Sequence, residues 1–363
     1  MSGRHFLSFL VRSVLLGIVV AALILLLVPS LRQGAGFTDT WFRDSSVTAS
    51  RATYFPALSR SAPAVVNIYS VSIETDTGLF RNQPRERASL GSGVIMTENG
   101  YILTCDHVVA NADSIYVAVQ DGRVLEAQIV GNDPLTDLAV LKVSADNLHV
   151  IPQAKEPEIR VGDIVMAIGN PFNLGQTITQ GIVSRAGRNG LSNYVDFIQT
   201  DAVLNQGNSG GALVDSNGLL VGITNANFQV RDARRRVRNV DGINFAVPYE
   251  LAKRVMDEII INGKVTRGQL GFMGEEHRDR PGIEVTSVSS GSPADKAGLR
   301  AGDIIMAIDG VRLESASKTL DMIAETDPGT QLELQVSRGG DMITINVVVA
   351  ELAVTPGNSL RLN

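Results

Sequence analysis

The chain has 363 residues, enough for two to three domains at about 150 residues each. It is 44% hydrophobic and 19% charged with no low-complexity tract, which excludes a disordered or fibrous chain. With 32 basic against 38 acidic residues the net charge is −6, a poor footprint for nucleic acid, and one cysteine excludes an intrachain disulfide and a cysteine zinc cage.

Residues 14–28 are an unbroken apolar run. Extended back to Phe6, the segment reaches the roughly 20 residues that a membrane helix needs. Arg4 and Arg12 precede it, so the positive-inside rule leaves Met1 in the cytoplasm and exports the rest. A cleaved signal peptide is the alternative, but Pro29-Ser30-Leu31-Arg32-Gln33 is a weak cleavage site. Residues 30–60 are polar with isolated aromatics and read as a tether, in which Tyr54 and Phe55 are candidates for docking on a neighbouring subunit.

From Ala64 the chain turns to short β-type runs bounded by Gly, Asn and Asp, the pattern of an all-β barrel or sandwich. Residues 73–90 carry much charge and few apolar positions, and read as a long mobile loop. From Pro248, Leu251, Ala252, Val255, Met256, Ile259 and Ile260 recur at helical spacing, and Asn262-Gly263 stops the helix. A second block of short strands runs from Leu270 to about Ala353. Residues 160–169 and 300–309 look alike, but their flanks do not match; a Gly-Asp turn feeding a buried strand accounts for both.

Three segments carry chemistry. In Thr104-Cys105-Asp106-His107-Val108-Val109 a histidine follows an apolar strand. In Asp133-Pro134-Leu135-Thr136-Asp137 the second aspartate leads into a buried-type strand, where a carboxylate needs a partner. In Gly207-Asn208-Ser209-Gly210-Gly211 a serine sits among glycines, which lets backbone N–H groups converge on one point. The chain order His, Asp, Ser on an all-β background is that of chymotrypsin-type proteases. His107 is then the base, Asp137 its orienter and Ser209 the nucleophile, with the amides of Gly207 and Ser209 as oxyanion donors. The residue six before the nucleophile, Val203, would floor the specificity pocket and favour a small aliphatic side chain. No metal site and no cofactor are expected, since four histidines form no HExxH pair. His149 and His277 lie in no motif, and Cys105 is expected to be a buried free thiol.

These motifs resemble the signatures of the HtrA (high-temperature-requirement) serine proteases. The similarity continues through Ala167-Ile168-Gly169-Asn170-Pro171-Phe172, Phe197-Ile198-Gln199-Thr200-Asp201-Ala202 and Gly242-Ile243-Asn244-Phe245-Ala246-Val247-Pro248, and covers nearly all of 60–355. Cys105 departs from the family, which commonly has Asn there. The resemblance implies a mainly β chain: a chymotrypsin-like double β-barrel protease domain followed by one PDZ domain, behind an N-terminal transmembrane helix. The implied division is a cytoplasmic stub and anchor over 1–29, a periplasmic tether and trimer contact over 30–60, the protease over 61–262, the PDZ domain over 263–355 and a tail over 356–363.

In PDZ domains the stretch matching Gln269-Leu270-Gly271-Phe272 receives a peptide's terminal carboxylate, and Met322 and Ile323 on a helix over 316–326 would wall the side-chain pocket. One anchor and one PDZ block point to the membrane-bound, stress-sensing branch of the family. The implied protein is a homotrimer in the bacterial inner membrane, single-pass, with its catalytic part in the periplasm. It would sense C-terminal peptides of misfolded outer-membrane proteins and cleave a membrane-bound anti-sigma factor. A general quality-control protease-chaperone and a catalytically dead peptide-binding scaffold are the alternatives. The Arg231–Arg238 cluster reads as a solvated loop, or as a site for an acidic partner.

Overall fold

The computed structural model describes residues 3–27, 53–75, 84–155, 157–187, 195–231, 237–277 and 281–353. The chain divides into two units, Met1–Thr53 and Tyr54–Asn363. In the first, Gly3–Leu27 form one helix, α1, of which His5–Ile24 is long and apolar enough to cross a membrane. The aromatics at 37–42, the arginines at 234–236 and the tail from 356 lie outside the described residues.

The second unit begins with α2 (Phe55–Ser61), which Pro56 starts in its first turn. Tyr54 packs against the protease core beside Leu58, whereas Phe55 is exposed. Six strands follow: β1 (Val65–Thr75), β2 (Pro84–Ile95), β3 (Tyr101–Cys105), β4 (Ser114–Ala118), β5 (Val124–Asp133) and β6 (Leu138–Lys142). They close into a barrel in the order β1-β2-β3-β6-β5-β4, with the single-turn helix α3 (Asp106–Val109) after β3. Of the segment expected as a loop over 73–90, residues 73–75 and 84–90 are strand, and 76–83 lie outside the described residues. Residues 73–75 and 84–90 continue the β1–β2 ladder, with Ile73 opposite Glu86. In this part of the ladder Ile73 and residues 87–89 are exposed.

A second closed barrel, in the order β10-β11-β12-β9-β8-β7, uses β7 (Ile164–Gly169), β8 (Thr177–Arg185), β9 (Ile198–Thr200), β10 (Ala212–Asp215), β11 (Leu220–Arg231) and β12 (Val237–Pro248). Its core residues Phe197, Ala212, Ile223 and Phe245 form one cluster with Leu103, Leu138 and Val140 of the first barrel. Each fully buried aliphatic or aromatic side chain contributes roughly 1.5–3 kcal/mol, so this shared cluster fixes the barrels against each other. The cleft between them is therefore rigid.

Pro248 caps α4 (Tyr249–Asn262), whose buried face is Ala252, Val255, Met256 and Ile259. Gly263 ends it with φ +74°, a left-handed cap that suits glycine. The short ribbon β13 (Gly268–Gln269) with β20 (Ala350–Glu351) opens the last module. Its sheet runs β14-β15-β16-β18-β19, built from β14 (Phe272–Glu276), β15 (Ile283–Val288), β16 (Ile304–Ile308), β18 (Gln331–Arg338) and β19 (Asp341–Val348), with β17 (Val311–Arg312) paired to β16. Helices α5 (Pro293–Lys296) and α6 (Ala316–Ala324) begin at Ser292 and Ser315, whose hydroxyls each accept the backbone N–H three residues on. Strand β14 is an edge, open to pairing by another chain.

The two look-alike segments share one device. Asp163 and Asp303 each accept the N–H three residues earlier, from Arg160 and Arg300. Gly162 (φ +97°) and Gly302 (φ +88°) turn the chain between. The same turn thus serves a barrel strand and a PDZ strand, in two different sheets.

Candidate active site

The groups predicted from sequence converge at the seam between the barrels. His107 stands on α3, Asp137 on the turn from β5 to β6, and Ser209 on the loop before β10. Asp137 takes a left-handed conformation, φ +55°, uncommon for a non-glycine residue. Its Oδ2 lies 2.6 Å from His107 Nδ1, and its Oδ1 accepts the His107 backbone N–H at 2.9 Å. Ring and backbone of the histidine are thus held by one carboxylate. Burial disfavours the imidazolium, but the hydrogen bond and charge of Asp137, with the charge of Asp106, outweigh it. His107 is therefore raised above the ordinary 6.5 of histidine.

The nucleophile loop is fixed at four successive carbonyls. Gln206 O accepts the Phe172 N–H, Gly207 O the Ser92 hydroxyl, Asn208 O the Thr224 hydroxyl and Ser209 O the Ser92 N–H. With those oxygens turned away, the N–H groups of Gly207 and Ser209 have no partner among the described residues. Two free donors beside a serine hydroxyl are what an oxyanion requires. The Ser209 hydroxyl itself donates to the carbonyl of Asn225 at 2.7 Å, and no hydrogen bond joins it to His107 among the described residues.

Sequence reading missed Asn225. It is buried on β11, and its side-chain amide donates to Asp137 Oδ2 at 2.9 Å. Nothing local marks it, because its contact lies 88 residues away. Val203, expected as a pocket floor, is 54% exposed, which does not describe a floor; its neighbour Leu204 is buried. Cys105 is a buried free thiol, as expected, and burial first, then the charge of Asp137, pushes it well above its usual value. A thiol held protonated there is a small apolar neighbour of the histidine rather than a nucleophile.

A second site lies in the C-terminal module. A groove between β14 and α6 is lined by Leu270, Gly271, Phe272, Leu320 and Ile323. The carbonyls of Leu270 and Gly271 accept N–H groups of Ala294 and Ser289, which turns the opposite, N–H side of those peptides toward the groove. Gly271 has φ +80°, and a Cβ there would sit 2.4 Å from Ser292 Cβ. Gln269 also lines the groove, while its backbone pairs with Ala350 and its side chain donates to Glu351 O. Met322 packs on the module's core, and Leu320, not singled out from sequence, takes the groove position beside Ile323.

The two sites are joined by an ion pair. Arg267, immediately before β13, places both guanidinium nitrogens on Asp133, at 2.8 and 2.6 Å. Arg267 is 9% exposed and Asp133 2%. Asp133 also accepts the Thr136 hydroxyl at 2.5 Å, inside the turn that carries Asp137.

The chain matches the models of two families, a trypsin-like peptidase domain over residues 91–223 and a PDZ domain over 268–349. It is 44% identical over 359 residues to the serine endoprotease DegS of Escherichia coli strain K12, covering 95% of this chain and 99% of that one. DegS of Haemophilus influenzae is 41% identical over 349 residues, covering 95% and 98%. Among solved structures, the HtrA-type protease AlgW with a decapeptide superposes with a TM-score of 0.73 at 41% identity, covering 84% of this chain and 100% of that one.

Proposed function

The chain belongs to the HtrA-type serine endoproteases that include DegS and AlgW, and from that premise we propose that it is a peptide-activated protease of the periplasm, held in the inner membrane by α1. Its PDZ groove receives the free C-termini of misfolded outer-membrane proteins, and its substrate is a membrane-bound anti-sigma factor. The working form is a homotrimer. The AlgW structures carrying a decapeptide or a tripeptide support a peptide ligand.

The observation that carries peptide activation is the Arg267–Asp133 pair. Arg267 adjoins the carboxylate-binding loop, and Asp133 opens the turn that ends at Asp137. A peptide seated at 270–272 therefore acts on a segment already tied to the catalytic turn. A ligand shifts a resting equilibrium only by its differential affinity for the active state.

In the reaction His107 Nε2 takes the Ser209 proton as Oγ attacks the scissile carbonyl. The carbonyl oxygen moves into the N–H groups of Gly207 and Ser209. His107 then gives the proton to the leaving amine, and water repeats the sequence on the acyl-enzyme. Asp137 holds the imidazole tautomer and stabilises the imidazolium. The Ser209 hydroxyl must first leave the Asn225 carbonyl.

The test uses the full chain in detergent, with a reporter peptide as substrate. Peptides ending in a free hydrophobic carboxylate should activate about 5- to 150-fold, the range of a 1–3 kcal/mol coupling. The same peptides amidated at the C-terminus should not activate. Inhibition by both forms alike would make the groove a substrate-delivery site instead. Ser209→Ala should abolish cleavage without changing peptide affinity; turnover within tenfold of wild type would remove Ser209 as the nucleophile.

A further inference from the structure

Ser92 lies 117 residues before the nucleophile, in Gly91-Ser92-Gly93 of β2. Strand alternation puts its glycine neighbours on the face toward the first barrel's interior. A Cβ at Gly91 would meet Val108 at 2.4 Å, and one at Gly93 would meet Ile68 and Ile102 at 2.8 Å. The serine faces the other way, into the seam between the barrels, and is fully buried.

All of its polar groups are used. Its hydroxyl donates to Gly207 O at 2.7 Å and accepts the Asn170 N–H at 3.1 Å. Its N–H donates to Ser209 O at 2.9 Å, and its carbonyl accepts the Thr104 hydroxyl at 2.8 Å. The approach is so close that a Cβ on Gly210 would sit 2.2 Å from Ser92 O. One residue of the first barrel thus grips the nucleophile loop of the second on both sides of Asn208.

We infer that the Ser92 hydroxyl is a positioning group for the oxyanion hole, an inference that rests on Ser209 being the nucleophile. The N–H donors of Gly207 and Ser209 face the cleft because the carbonyls around them are pinned the other way. Three of the bonds that pin carbonyls 206–209 come from backbone N–H groups, of Phe172, Gly211 and Ser92. Two come from hydroxyls, of Ser92 and Thr224. The Ser92 hydroxyl holds the carbonyl of the Gly207–Asn208 peptide, the link between the Gln206–Gly207 and Asn208–Ser209 peptides that carry the two donor N–H groups. Remove it and Gly207 O and the Asn170 N–H both lose a buried partner; the linking peptide keeps only the bond from Asn208 N–H to Asn205 O, and the donor peptides on either side of it lose their fixed relative orientation. The backbone bond from Ser92 N to Ser209 O survives, and with it the seat of the nucleophile. Two functions of one loop are thus separate: the backbone of Ser92 seats the serine, and its side chain holds the link that sets the donors' mutual orientation.

Full-length protein in detergent, with an activating peptide at saturation, provides the test. Ser92→Ala should lower kcat about 10- to 100-fold, below the 10²–10³ that a direct oxyanion donor commands. KM should stay within threefold. A peptide aldehyde, which adds Ser209 Oγ to its carbonyl carbon and puts the resulting oxygen in the hole, should lose affinity by the same factor as kcat. The matching product peptide, a carboxylate that forms no tetrahedral adduct, should bind within twofold of wild type. Ser92→Cys, of similar size with a weak donor, should fall between, and carries the test if the alanine variant does not fold. A kcat within threefold of wild type, or equal losses of aldehyde and product-peptide affinity, would overturn the assignment. Failure of the aldehyde to bind the wild type would instead remove Ser209 as nucleophile, a separate outcome.

Discussion

Two buried aspartates stand four residues apart on the turn between β5 and β6, and they face different partners. Asp133 gives both oxygens to the guanidinium of Arg267, from the PDZ side. Asp137 gives both to His107, on the catalytic side. Arginine stays charged at every working pH, so the first pair is a fixed mechanical joint. Histidine changes charge near neutrality, so the second is a joint whose strength varies through each turnover. One short turn thus ends in a structural carboxylate and in a chemical one, and the Thr136 hydroxyl ties the first to the turn between them.

The sharpest way to break the comparison is at the chemical end. Asp137→Asn should fold, by circular dichroism, yet lose about 10⁴ in kcat, because an amide holds the wrong imidazole tautomer. The acid limb of its residual pH–rate profile should move down. In the wild type the raised His107 puts that limb above 6.5: the base must be neutral, so activity is lost as pH falls through the folded value. A limb at or below 6.5 would contradict the charge balance at the site.

At the structural end, Arg267→Met leaves Asp133 buried and alone. The expected cost is about 3–5 kcal/mol, read from thermal or denaturant unfolding. Activation by C-terminal peptides should collapse in this variant while catalytic labelling of Ser209 persists. The double variant with Asp133→Leu should recover most of the stability and none of the activation, since a greasy pair packs but does not register position.

Between the ends lies Asn225. Asn225→Ala removes one donor from Asp137 Oδ2, so the carboxylate attracts the imidazolium more strongly. We expect kcat to fall about tenfold, or about 1.4 kcal/mol, with the acid limb displaced upward. A fall in kcat with an unmoved limb would mean that Asn225 serves packing alone. The smallest effect belongs to an exposed pair close to Arg267 in the chain. Lys264→Ala removes the pair with Glu351, whose side chains are 62% and 51% exposed, and should change stability by at most about 0.5 kcal/mol and leave activation intact.

The parts legible in the sequence were those whose chemistry is local. Ser209 announces itself through adjacent glycines, the PDZ loop through Gly271, and α4 through its apolar spacing and the cap at Gly263. Ser92, Asn225 and Arg267 were illegible for a common reason. Each is an ordinary polar residue in its own segment, and its partner lies 115, 88 or 134 residues away. The strand residues 73–75 and 84–90 were misread for a different reason: Ile73 and residues 87–89 are exposed, and no apolar alternation marks them in the sequence.

The cap at Gly263 has a mechanical consequence. A Cβ on Gly131, two residues before Asp133, would lie 2.3 Å from Gly263 O, so the end of α4 is pressed against β5 itself. From that clamp to Arg267 the chain has four residues, a span of at most about 14 Å when taut. The segment joining α4 to the last module therefore bears on β5 at both of its ends, at Gly131 and at Asp133, so that module is seated on the strand leading to Asp137 rather than hung from a free linker.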